Sequence, residues 1–161
     1  MFAANMVILG RITRILFKYM KVRCRCMGIS GAQATILVID DQPGIRRLLT
    51  EVLQDEGYNV ITAANGYEGI QVAAEIKPNV ILMDMKMPGM DGIETLKELK
   101  RQGQGDRVIM MTAYGELDMV NEAKEAGMSE YITKPFDIIL LCRIIEDHIG
   151  SSFDARRLLI G

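Results

Sequence analysis

From Thr35 onward the chain repeats one pattern: a short apolar run, then an amphipathic stretch long enough for a helix. Thr35-Ile36-Leu37-Val38-Ile39 sets the type, being mostly β-branched, apolar without alternation and too short for a helix. Such a run reads as a strand covered on both faces. Tyr58 to Ala63, Val80-Ile81-Leu82-Met83, Arg107 to Met111 and Tyr131 to Thr133 repeat it. Between the first two runs, Ile45, Leu48, Leu49, Val52 and Leu53 fall at helical spacing and form one apolar face. Pro43 suits the first turn of that helix and Gly57 its end. Further helices are predicted over 66–77, stopped by Pro78, from Ile93 to about Arg101, over 117–126 and over 137–149. Five strand-helix units in alternation predict an α/β fold: a five-stranded parallel sheet with five helices, doubly wound.

In the common flavodoxin-like strand order 2-1-3-4-5, the first and third strands are neighbours at the topological switch point, where sites form. The C-terminal ends of those two strands carry Asp40, Asp41 and Asp84. Three converging carboxylates repel one another unless a cation sits among them, and Mg²⁺ suits a few carboxylates plus waters. The fourth strand ends at Thr112, a hydroxyl, and the fifth at Lys134, a point charge suited to phosphate. Acids, hydroxyl and lysine at successive strand ends make a phosphoryl-handling site.

Each residue also has a plainer reading. A single strand-end acid is commonly a helix cap, and Asp41 could cap the first helix. Met83, Met85, Met87 and Met90 lack accompanying Cys or His, so they read as packing and loop residues. Cys24 and Cys26 lack a second pair for zinc, Cys142 reads as packing, and His148 as a partner for the end of the last helix. Taken jointly, the five strand-end residues are hard to explain as structure alone.

Asp40-Asp41, Asp84, Thr112 and Lys134-Pro135 resemble the signature of the receiver domain of two-component response regulators. The resemblance covers about residues 34–149. The loops Pro88-Gly89-Met90-Asp91-Gly92, Met111-Thr112-Ala113-Tyr114-Gly115-Glu116 and Lys134-Pro135-Phe136-Asp137 are similar to those of single-domain phosphorelay members. The resemblance implies that Asp84 is the phosphoacceptor. Asp41, Asp84 and the Lys86 backbone carbonyl would bind Mg²⁺ directly, and Asp40 through a water. It further implies that Thr112 and Lys134 contact the phosphoryl group, that Lys134-Pro135 is a cis peptide, and that Thr112 and Tyr131 form the switch pair. Tyr131 departs from the histidine expected there in relay members. The implied partners are a sensor histidine kinase, a histidine phosphotransferase and an aspartyl-phosphate phosphatase, with Gln42, Ile45 and Leu49 in the docking surface and sporulation initiation as the pathway. The activity would be that of a phosphotransferase-like relay rather than a small-molecule enzyme.

Charge divides the chain in two. Residues 1–33 carry Arg11, Arg14, Lys18, Lys21, Arg23 and Arg25 and no acid, whereas the remainder holds 13 basic and 21 acidic side chains. The acidic body argues against a nucleic-acid partner. Residues 1–33 are expected to be a disordered basic extension, with 34–149 the receiver and 150–161 a short tail. The uncharged stretch from Met1 to Gly10 is far short of a bilayer span, so no stable membrane insertion is expected. With three cysteines and no disulfide framework, the expected compartment is the cytoplasm. Two other readings are weighed. A stand-alone output regulator would bind a target when phosphorylated. A Mg²⁺-dependent phosphatase of the haloacid dehalogenase type would need a second acid where Lys86 stands.

Overall fold

The computed structural model describes residues 34–113 and 116–158, with the side chains of Leu117 and of 151–158 excepted. The element order is β1 (Thr35–Ile39), α1 (Pro43–Asp55), β2 (Asn59–Ala63), α2 (Gly66–Ile76), β3 (Val80–Asp84), α3 (Gly92–Arg101), a 3₁₀ turn (Gly105–Arg107), β4 (Val108–Ala113), α4 (Leu117–Glu125), β5 (Glu130–Lys134) and α5 (Ile138–Leu158). All five strands are parallel, in the order β2-β1-β3-β4-β5. This is the doubly wound arrangement read from the alternation, with the switch point between β1 and β3.

Side chains alternate across a strand, and here both sets are apolar. Leu37, Ile39, Ile81, Met83, Val108 and Met110 point to one face, where Ala73 of α2, Leu96 and Leu99 of α3 and Ala123 of α4 cover them. Ile36, Val38, Val80, Leu82, Ile109 and Met111 point to the other, against Leu49 and Leu53 of α1 and Leu141 and Ile145 of α5. Two cores thus clamp the three central strands, and the strand ends that carry chemistry are held from both sides.

Local chemistry sets the helix boundaries. Pro43 opens α1, whose N-cap is Gln42. Gly57 follows its end with φ +93°, a conformation that costs glycine little. Asp91 and Glu94 form a capping box on α3, with Asp91 Oδ1 accepting from the Glu94 amide at 2.8 Å. β4 begins at Val108 because Arg107 belongs to the preceding turn, its amide donating to Gln104 O and its guanidinium to Pro78 O.

The clearest boundary difference is α5, which continues to Leu158 instead of stopping at Ile149. Gly150 costs a helix only about 1 kcal/mol relative to alanine, and no proline follows to break the hydrogen-bond ladder. His148 is therefore inside the helix, where its Nε2 meets the Asp106 carbonyl at 2.6 Å, and not at a helix end. Cys142 is buried in the second core. The basic extension, with Cys24 and Cys26, lies outside the described residues.

Gly92 brings α3 against the end of β3. A Cβ there would stand 2.5 Å from the Asp84 carbonyl oxygen and 2.8 Å from Met85 Cα, both backbone atoms that cannot swing aside. Gly92→Ala is expected to cost about 1–3 kcal/mol in urea unfolding, the range of an overpacked core site. An unchanged midpoint would show that the α3 junction yields.

Candidate functional site

The β1 and β3 ends are neighbours, with Ile39 in register with Met83, so Asp40 and Asp84 leave the sheet side by side. β4 and β5 continue the edge, with Asp84 opposite Met111 and Ala113 opposite Lys134. Each of Asp40, Asp41 and Asp84 offers a carboxylate oxygen within 4.8 Å of the others. Asp40 is fully buried, Asp84 nearly so, and Asp41 is half-buried. Asp41 is not the N-cap of α1, so its capping role is not realised.

Lys134 holds this group together. Its Nζ donates to Asp84 Oδ1 at 2.7 Å and to Asp40 Oδ2 at 2.8 Å, with the lysine side chain only 17% exposed. The Lys134–Pro135 bond is cis. Both Asp40 oxygens are engaged, because Oδ1 accepts from the Gln42 amide at 2.8 Å. Asp84 Oδ2 has no protein hydrogen-bond partner among the described residues. Three carboxylates and one ammonium leave two negative charges, and the donors are hard oxygens: a set that fits one small divalent cation.

Electrostatics follow from this geometry. Burial pushes the Asp84 carboxyl up, Lys134 offsets that only in part, and Asp40 and Asp41 push it up further. Burial would draw the Lys134 ammonium down, but its bonds to Asp40 and Asp84 outweigh it and hold the group above the usual lysine value.

The other expected site residues lie close by in sequence and register but are differently engaged. Thr112, buried at the end of β4, donates its hydroxyl to Glu116 Oε2 at 2.8 Å. Lys86, two residues beyond β3, extends its side chain to Glu116 Oε1 at 3.2 Å. Tyr131, half-buried on β5, has the Lys124 ammonium 5.7 Å from its ring centre. Glu116 is the residue sequence reasoning passed over. It accepts from Thr112 and from the Ala113 amide at 2.8 Å, and these bonds with Lys86 outweigh its burial and hold its carboxyl below the usual range. The signal available was Glu116 itself, an acid four positions after a strand-end hydroxyl. Of the four methionines singled out as packing and loop residues, Met83, Met85 and Met87 are buried, and Met90 is half-buried in the loop before α3.

The family described as "Response regulator receiver domain" matches residues 36–146. The chain belongs to that family. It is 53% identical over 103 residues to Sporulation initiation phosphotransferase F of Bacillus subtilis, covering 64% of this chain and 83% of that protein. It is 40% identical over 111 residues to Regulatory protein AtoC of Escherichia coli, covering 69% of this chain but only 24% of that longer protein. The structure of the Vibrio cholerae chemotaxis protein CheY4 superposes with a TM-score of 0.67 at 33% identity, covering 72% of this chain and 98% of that one. Fold, acidic cluster and family agree: this is a response-regulator receiver.

The environment of Asp84 gives a direct pH test. In metal-free protein, carboxyl ¹³C NMR is expected to place its titration above the ordinary aspartate value of about 3.9. A divalent cation, favouring the carboxylate, is expected to lower the midpoint. A midpoint at or below the ordinary value without metal would show that Lys134 outweighs burial.

Proposed function

We propose that Asp84 accepts a phosphoryl group from the phosphohistidine of a sensor kinase and passes it to a histidine phosphotransferase. The observation that carries this reading is the buried Asp84 carboxylate, held at 2.7 Å by Lys134 inside a cluster with charge and donors for one divalent cation. An Asp84 oxygen attacks phosphorus, the P–N bond breaks with its electron pair leaving on the imidazole, and an acyl phosphate results. Lys134 moves from carboxylate to phosphoryl oxygens, and the Thr112 hydroxyl donates to them. Asp41, Asp84 and the Lys86 carbonyl would hold Mg²⁺, with Asp40 acting through a water because both its oxygens are occupied. Mg²⁺, when bound, supplies the neutralising charge that lets an anionic phosphoryl group approach three acids. Thr112 and Tyr131 are the switch pair on this reading.

Likeness to the Bacillus subtilis phosphotransferase across most of that protein's length supports the relay and sporulation initiation. An aspartyl-phosphate phosphatase would return the chain to its resting state. Likeness to CheY4 supports the second reading, an output protein that binds a target when phosphorylated. No helix among the described residues is long and apolar enough to cross a membrane, and the cytoplasm is the compartment proposed. The receiver unit is proposed as residues 34–149, around the matched 36–146, with 1–33 an appended basic segment and 150–161 a tail that includes the last part of α5. The docking surface is amended: Leu49 is in the core, whereas Leu48, one residue earlier on α1, is 44% exposed beside half-buried Ile45.

Acetyl phosphate with Mg²⁺ is expected to label the chain at one site, read by intact mass, and Asp84→Asn to abolish the label. Normal labelling of that variant would overturn the assignment. Labelled protein is expected to lose phosphate to a histidine phosphotransferase from its own organism faster than to water, and Leu48→Glu to slow that transfer about tenfold or more without affecting labelling. Tight binding of a target with no transfer would favour the output reading. Asp41→Ala is expected to weaken Mg²⁺ binding about tenfold or more, the cost of losing a direct ligand, and Thr112→Ala to leave it nearly unchanged. Equal losses in a titration would contradict these roles.

A further inference from the structure

Glu116 occupies the Thr112 hydroxyl, a group that a phosphoryl group on Asp84 would need. The Thr112 hydroxyl has one proton, and it goes to Glu116 Oε2 at 2.8 Å in preference to the Ala113 carbonyl at 3.3 Å. The other oxygen, Oε1, is paired with Lys86 Nζ at 3.2 Å. Oε2 also accepts from the Ala113 amide at 2.8 Å, so the carboxylate is gripped by backbone, hydroxyl and ammonium together. Its side chain is only 11% exposed, whereas that of Lys86 is 67% exposed, so the Thr112 bond is the better shielded of the set. Among the described residues, nothing comparable ties Thr112 toward Asp84.

We propose that Glu116 is a positioning residue that latches Thr112 in the resting arrangement and must release it before the hydroxyl can reach a phosphoryl oxygen. This rests on Asp84 being the phosphoacceptor. The latch sets the resting-to-engaged equilibrium: a phosphoryl group must outbid one carboxylate for the hydroxyl, and part of its interaction with Thr112 is spent breaking the older bond. Lys86 steadies the latch from the far side, through the other carboxylate oxygen. A ligand or partner that drew Glu116 away would favour the engaged state without touching Asp84.

The test uses beryllofluoride with Mg²⁺ as the acyl-phosphate mimic on the full chain, read by calorimetry, with the Ala113 amide proton shift as a second readout in metal-free protein. Glu116→Gln keeps size and shape but loses the doubly accepting carboxylate. It is expected to tighten mimic binding about fivefold, the scale of one charge-assisted hydrogen bond exchanged for a neutral one. The Ala113 amide is expected to move upfield as its carboxylate partner is lost. A merely structural role would weaken binding, the opposite sign. The gain is expected to vanish in a Thr112→Ala background. A gain of the same size there would mean that only the removed charge matters, and that or an unchanged affinity in Glu116→Gln would overturn the latch alone. Failure of the unaltered chain to bind the mimic would overturn the phosphoacceptor reading and the latch with it.

Discussion

The structure depends on one half-buried ammonium. Lys134 spans the gap between the β1 and β3 ends from β5, and without it the Asp40 and Asp84 carboxylates would face each other unpaired in a largely dry setting. Removing one partner of such a buried pair typically costs about 3–5 kcal/mol, because the remaining charge is stranded. The strand order makes the bridge possible: the β2-β1-β3-β4-β5 sheet brings residues 40, 84 and 134 to one edge although they are far apart in sequence. The bridge also leaves the cluster two charges negative. The same arrangement that stabilises the metal-free fold therefore prepares it for a divalent cation.

Around this bridge the molecule is stiff on one side and exchangeable on the other. The end of β3 is tied by the Met85 amide to the Met111 carbonyl and by the Gly92 amide to the Met85 carbonyl, each at 2.9 Å. Those bonds, with two apolar cores behind them, hold the backbone at Asp84 in place. Thr112, Lys86 and Tyr131 are instead held by side chains, Glu116 and Lys124, whose bonds can be traded for others. A phosphoryl group placed on Asp84 would meet a fixed anchor and movable partners, as a two-state response requires.

Most of this was legible in the sequence, for a physical reason. Strands buried on both faces leave uninterrupted apolar runs, and helices on both faces leave periodic ones, so architecture and strand ends could be read together. Asp40, Asp41, Asp84, Thr112 and Lys134 followed, because a strand end is where an apolar run stops. What escaped was set by contacts between side chains. Glu116 has no periodicity to mark it, and its role exists only through its bonds to Thr112 and the Ala113 amide. Leu49 and Leu48 are adjacent, and only the rotation of α1 against the sheet decides which is exposed. The continuation of α5 past Gly150 was obscured because glycine marks both helix ends and tolerated interior positions.

The most direct test of the central interaction is to titrate Mg²⁺ into the unaltered chain and into Lys134→Gln, following thermal midpoint and metal affinity together. Glutamine keeps much of the length but removes the charge. The expected variant has a lower midpoint without metal, a larger rise when Mg²⁺ is added and tighter metal binding, because no ammonium competes for Asp84. A variant that kept its metal-free midpoint and bound Mg²⁺ no more tightly than the unaltered chain would show that Lys134 is not what holds the carboxylates together.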